Sequence, residues 1–277
     1  MARASRRGVS IIVSVLSDIA EFLPAVLALL AAGLVKGITG IGYATCAMPL
    51  LAMAVGIEKA LALVVVPALV SNVAVLIGGG GVVRTLVRFQ RFYLAILPGI
   101  AVGTMMLGLV DADVATKGLA LLTLAYVAMA VAKPAFALPP RLERPLAMPA
   151  GLVNGMLTGL TGSQIVPLVP YMMALRLDAT TQVLAINLAV TIASVALGGA
   201  LALAGIMTMP MLALSVAGAV PAIAGTLIGN VLRGWMPVES VRRLTLVVLV
   251  IAAIGLGGRE AIDAALVAVG LAGSGSG

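Results

Sequence analysis

The sequence contains no histidine and a single cysteine, Cys46. Without histidine there is no imidazole to hold a metal and no side chain that ordinarily titrates between pH 5 and 8. One cysteine excludes an internal disulfide and a multi-cysteine metal site. Charge is scarce as well. Only 10% of residues are Asp, Glu, Lys or Arg, where a soluble domain carries about 25%. Aromatic residues make up 3%, so the net charge of +7 does not indicate nucleic acid, which needs stacking surfaces beside its basic groups. No GxxxxGK[ST] string is present, so the chain carries no phosphate-binding loop for ATP.

What is abundant is apolar sequence: 62% of the 277 residues are hydrophobic. Runs long enough to cross a ~30 Å hydrocarbon layer recur along the whole length. They are not the alternating ten-residue segments of a membrane barrel. The expected fold is an all-α polytopic membrane protein. Its short basic clusters lie between apolar runs, where lipid headgroups meet them.

The stretch 33–49, GLVKGITGIGYATCAMP, stands apart from the other runs. Lys36 is the only charged residue between Glu21 and Glu58. A lysine inside such a run costs ~2.5–3.5 kcal/mol on insertion, and an intramembrane charge marks a functional site by default. Gly33, Gly37, Gly40 and Gly42 each weaken a helix by roughly 1 kcal/mol relative to alanine, and Pro49 lacks the N–H a helix needs. A broken helix at membrane depth is tolerated where its backbone is buried in protein or lines a wet cavity.

A second copy follows at 151–167, GLVNGMLTGLTGSQIVP. Gly33, Leu34, Val35 and Gly37 match Gly151, Leu152, Val153 and Gly155, an offset of 118, which sets Lys36 opposite Asn154. Later strings repeat at 122: Gly103–Thr104 with Gly225–Thr226, and Leu122–Thr123–Leu124 with Leu244–Thr245–Leu246. Paired interrupted segments in the two halves of a chain point to a transporter binding site.

The expected organisation is an N-terminal interfacial segment (1–21), a first repeat (22–132), a proline-rich linker (133–144), a second repeat (145–272) and an appended Gly/Ser linker (273–277). Expected helices cover 22–37, 43–56, 60–80, 92–110 and 114–132, with Arg84, Arg88 and Arg91 in a basic loop. The second set covers 145–160, 163–175, 180–204, 206–229 and 238–256, with a last short helix at 260–272. Each half holds four or five transmembrane segments, with broken or short helices at the midplane. Five segments would make the halves inverted and four would make them parallel; the positive-inside rule does not separate the two. Inverted repeats are preferred, because they bring the breaks together at the midplane.

Lys36 has a plain alternative use, snorkelling to the interface. Against it stand its depth in the run and the lack of an acidic partner in the helix cores. A small anion is its natural partner. Thr39, Gly40 and Gly42 at the first break, and Thr158, Gly159, Thr161, Gly162, Ser163 and Gln164 at the second, would offer hydroxyls and unwound backbone N–H groups to such an anion. A single threonine more often bonds a carbonyl of its own helix; only the cluster is informative. Asn154, Asn72 and Asn187 complete the candidate set, with helix bridging as their plain alternative.

The doubled break, the proline-led Gly-Thr pairs and above all TGLTGSQIVPLVPYMMAL (158–175) resemble the sulfite exporter TauE/SafE family over roughly 20–260. The resemblance implies transport of small sulfur-containing or carboxylated anions, such as sulfite, sulfonates or sulfoacetate, by a two-repeat bundle. The expectation is therefore a secondary transporter, multi-pass in the inner (plasma) membrane. Its partners are a small anionic substrate and membrane lipid, with no cofactor, no metal and no nucleic acid, and with a homodimer left open. The alternatives are an anion channel for the same substrates and a membrane-embedded lipid-modifying enzyme. The enzyme would need acid–base or metal groups at depth, which the sequence lacks, so no enzymatic activity is expected.

Overall fold

The computed structural model describes residues 22–268 apart from 41, 79, 133–136 and 236. The expected interfacial segment (1–21), the expected Gly/Ser linker (273–277), the start of the expected central linker and the end of the last expected helix lie outside the described residues. The chain folds as α1 (Phe22–Thr39), α2 (Tyr43–Val55), α3 (Ile57–Gly78), α4 (Val82–Leu107), α5 (Ala112–Ala132), α6 (Pro140–Thr161), α7 (Leu168–Ala174), α8 (Ala179–Leu203), α9 (Met209–Leu232) and α10 (Val238–Ala268). Among the described residues there is no strand, and seven helices are long and apolar enough to cross a membrane. Large apolar side chains cover the outside: Leu203 is 94% exposed and Ile77 83%. Such a surface belongs against lipid. The protein is an all-α polytopic membrane protein.

Each break in the sequence becomes a break in a helix. α1 stops at Thr39, Gly40 and Gly42 take positive φ, and α2 begins at Tyr43. α6 stops at Thr161, Gly162 turns the chain at φ 70°, and Pro167 and Pro170 hold α7 to seven residues. At 1.5 Å per residue α2 is about 20 Å long and α7 about 10 Å, both short of a full span. The helix ends lie 122 apart (161 − 39), like the later strings. By helix ends Lys36 therefore corresponds to Thr158, one turn from the Asn154 that string matching gives.

Several expected boundaries move. α6 begins at Pro140, not 145, because a proline is tolerated in a helix's first turn, so residues 140–144 of the expected linker are helical. Arg84, Arg88 and Arg91 are not in a loop; they belong to α4, whose N-cap Gly81 adopts a left-handed conformation. Arginine is a good helix former, and α4 is kinked at Phe89 (φ −103°, ψ 15°), so that its first turns form a short segment ahead of the spanning part. The second short helix starts at Leu168 rather than 163, because residues 162–165 are unwound before the prolines.

Glycines set the closest packing. A Cβ on Gly37 would stand 2.3 Å from the Thr226 carbonyl oxygen, and one on Gly229 would stand 2.3 Å from that of Leu34. Gly155 and Gly99 lock α6 to α4 in the same way, with Cβ positions 2.3 Å from the Ile96 and Leu152 carbonyl oxygens. Helices approach this closely only where both sides lack side chains.

The contacts also give directions. α1 meets α9 at Gly33–Ala222 and again at Gly37–Gly229, so the two run the same way. α4 and α6 do likewise, from Phe92–Gly151 to Ile100–Gly159. α3 and α8 are antiparallel: Asn72 and Asn187 meet on Lys36, while Val65 lies against Gly198. α5 and α10 are antiparallel too, with Ala130 beside Arg242 and Leu124 clustered with Ala253.

Candidate functional site

Lys36 sits in the last turn of α1 and is 3% exposed. Its ammonium donates to the Ser71 hydroxyl at 3.3 Å and the Asn187 side-chain carbonyl at 3.2 Å. It also donates to the side-chain carbonyl of Asn72. Three neutral oxygens from α3 and α8 thus take its three protons. They satisfy its donors without cancelling its charge. Its absence from the surface excludes snorkelling.

A lysine only donates, so it dictates how both amides lie. The Asn187 NH2 turns back to the Val183 carbonyl at 2.8 Å. The Asn72 NH2 has no partner although it is buried. Asn72 and Asn187 form part of the wall of a cavity of about 40 Å³, together with Gly42, Tyr43, Thr45, Tyr126, Gln164 and Ile186. The Tyr43 hydroxyl is also buried without a partner, as is the side-chain carbonyl of Gln164. Gln164 is held from α8 by a 3.4 Å hydrogen bond from its NH2 to Ser194. Buried polar groups without partners carry a cost of about 1–3 kcal/mol each. Here they converge on one small space, with a positive charge one amide behind its wall.

Gly42, Thr45, Tyr126 and Val169 also border a larger cavity of about 500 Å³, completed by Thr39, Cys46, Met129, Arg242 and Thr245 among others. The wall of this vestibule includes the last turns of α5 and the first turns of α10. Arg242 projects there, donating to the Ala130 carbonyl and to both oxygens of Glu239 at 3.1 and 3.2 Å. Among the described residues no group of three or more Cys, Asp or Glu converges in a way that would hold a metal.

The sequence candidates divide into two groups. Asn72, Asn187, Gln164 and Gly42 line the small cavity, Thr39 and Gly42 line the vestibule, and Lys36 stands behind the wall. Gly40 lies at the first turn, with open space where a side chain would be. The second break is used differently. The Asn154 side-chain carbonyl accepts from the Leu168 N–H at 3.3 Å and so ties α6 to the start of α7. Thr158 donates to the Asn154 carbonyl at 2.7 Å, and its hydroxyl lies 3.2 Å from the Ser163 backbone carbonyl oxygen; the Ser163 hydroxyl and the Asn154 NH2 are buried without partners. Thr161 donates to the Leu157 carbonyl and accepts from the Ser163 N–H. Gly159 packs on Ile100 and Thr104, and Gly162 on Met48 and Leu61. None of these six lines either cavity.

Tyr43, Thr45, Tyr126 and Arg242 were not anticipated from sequence. Tyr43 and Tyr126 carried a signal, since the chain has only four tyrosines and these two lie in apolar runs. Arg242 reads in sequence as an ordinary residue at a span's end.

The family model described as sulfite exporter TauE/SafE matches residues 25–256. No curated protein and no solved structure matches the chain.

Proposed function

Because this chain belongs to the sulfite exporter TauE/SafE family, a family of membrane transporters, we propose that it carries a small sulfur-containing oxyanion through the cavity beside Lys36. The observation that carries this reading is the convergence of unpartnered buried donors, the Asn72 NH2 and the Tyr43 hydroxyl, on one space backed by the Lys36 charge. An anion needs donors and positive charge and tolerates few opposing acceptors. Lys36 supplies the charge and fixes Asn72 so that its NH2, not its oxygen, is left for the cavity. A water needs about 10–15 Å³ of such space; about 40 Å³ suits an ion of sulfite size and leaves little room for a long tail.

The antiparallel courses of α3 with α8 and α5 with α10 support two inverted repeats of five helices. The arginines at the starts of α4, α6 and α10 then share one face, and the positive-inside rule makes that face cytoplasmic in a plasma-type membrane. The vestibule beside Arg242 belongs to that face. Cargo entering from the cytoplasm meets Arg242 first and the Lys36 cavity second, as export requires. No carboxylate lines the small cavity, which favours electrogenic movement of the anion, or movement with a proton carried by the anion itself, over sodium coupling.

The test is flux in proteoliposomes with labelled sulfite, taurine, sulfoacetate and acetate. Saturable sulfite flux, with weaker flux of the longer sulfonates, supports the reading. Flux that never saturates favours a channel, and acetate preferred over every sulfur anion overturns the assignment. Strict sodium dependence would remove the coupling scheme alone.

A further inference from the structure

On the outer side of the α4–α6 contact lies a cavity of about 600 Å³ that the transport route does not use. Its polar wall is Arg88 and Arg91 from α4, Glu143 and Arg144 from α6, with Gln90 and the α7 residue Tyr171; Val87, Phe89 and Ala147 supply the apolar wall. Arg88 is already engaged, with Glu143 at 3.4 Å and its guanidinium 5.1 Å from the Phe89 ring centre. Among the described residues, Arg91 and Arg144 have no carboxylate partner. Three guanidiniums against one carboxylate leave an excess of positive charge in a roofless pocket.

We infer that this pocket binds the phosphodiester headgroup of an anionic membrane lipid. Guanidinium forks match phosphate oxygens two at a time, and basic pockets between transmembrane helices suit such headgroups. What selects a lipid over free phosphate is the surface next to the arginines. Leu94, one turn beyond Arg91, is 63% exposed, and Met148, one turn beyond Arg144, is 56% exposed. Since α4 and α6 run in the same direction with Phe92 level with Gly151, Met148 lies between the levels of Arg144 and Arg91, and Leu94 lies beyond both. A headgroup held by Arg91 and Arg144 lays its acyl chains over Met148 and Leu94. The Tyr171 hydroxyl donates to the Glu143 carbonyl at 2.9 Å, and its ring stacks on Phe92. The pocket floor is thus joined to α7, the short helix of the second break.

The test is native mass spectrometry on delipidated full-length protein, titrated with phosphatidylglycerol, cardiolipin and phosphatidylcholine, beside thermal shifts with the same lipids and with inorganic phosphate. The comparison is the double variant Arg91→Gln, Arg144→Gln. Wild type is expected to retain the anionic lipids and to melt higher with them, but not with phosphatidylcholine or phosphate. At about fivefold per arginine near a membrane surface, the double variant should lose affinity on the order of thirtyfold. Its lipid-free melting should stay close to wild type. Equal retention of anionic lipid by the double variant, or equal retention of phosphatidylcholine by wild type, overturns the site. Stabilisation by inorganic phosphate at the level of the lipids overturns the lipid as its occupant.

Discussion

Replacing Lys36 with methionine keeps most of the side chain's volume and removes its charge. The ammonium stands one hydrogen bond from the Asn72 amide, so an anion held by the NH2 of that amide lies roughly 6 Å from the charge. At an effective dielectric of ~20, unit charges at that separation attract by about 3 kcal/mol, roughly a hundredfold in affinity. A second loss adds to the first. Without the lysine, nothing obliges Asn72 to turn its carbonyl away from the cavity, and a rotated amide would present an acceptor to the anion. Lys36→Met should therefore weaken sulfite binding at least about a hundredfold. Stability should change less. The side-chain oxygens of Asn72 and Asn187 lose a donor, at about 1–3 kcal/mol each, while the cost of holding a charge at depth disappears. Lys36→Arg should bind with intermediate affinity, since a planar fork cannot reach three acceptors as a compact ammonium does. Calorimetric titration of purified variants with sulfite, with melting curves of the empty proteins as a folding control, reads both quantities. A folded Lys36→Met that binds sulfite as wild type does would refute the electrostatic reasoning and with it the assignment of the cavity.

Asn72→Asp is nearly isosteric, but it sets a carboxylate against Lys36 and removes the free NH2; anion binding should fall at least as far as in Lys36→Met, with the protein still folded, by the same titration. Gly37→Ala drives a Cβ to 2.3 Å from the Thr226 carbonyl oxygen and should cost 1–3 kcal/mol or more, while Gly199→Ala meets nothing within 4 Å and should leave melting unchanged or raise it slightly. Arg242→Gln should raise the KM for anion entering from the arginine-rich face several-fold, with equilibrium binding at the inner cavity nearly intact, as flux and calorimetry together would show. Asp178 caps α8 by accepting from the Thr181 N–H at 2.9 Å, and these hydrogen bonds hold its carboxyl below the usual range. Its contribution is complete above the ordinary aspartate pKa and fades as pH falls through the lowered one. Asp178→Asn should therefore flatten the acid limb of the melting profile.

The helical plan was legible because lipid leaves so few choices. An apolar run with no water to bond its backbone must be helical, and the two glycine breaks ended helices where glycine and proline must end them. The α4 start was misread for a related reason. Three arginines look like a loop in a chain with so little charge, yet Arg84 and Arg88 lie in helical turns before a kink at Phe89 and Arg91 in the turn after it. The second break misled in the other direction. Its hydroxyls and amide resemble a binding cluster in sequence, but the Thr158 hydroxyl reaches the Ser163 carbonyl, Thr161 accepts from the Ser163 N–H and the Asn154 side-chain carbonyl accepts from the Leu168 N–H, all backbone that the break leaves open. Polar residues beside a broken helix serve the break first, and only those left over remain for a ligand.

At the first break there is almost nothing polar to close it. Thr39 bonds the Val35 carbonyl, and the residues that follow are glycine and apolar up to Tyr43. Lys36 therefore takes its partners from elsewhere: Asn72, 36 positions away, and Asn187, 151 positions away. The two halves of the chain supply one asparagine each, and both meet at a charge that only the first half carries. Pattern reading finds each asparagine, because an amide in an apolar span is conspicuous. It cannot find their meeting, which depends on α3 and α8 running antiparallel and crossing at that level. In the function proposed above, that single charge, its protons given to neutral oxygens, is what would draw an anion to the cavity wall.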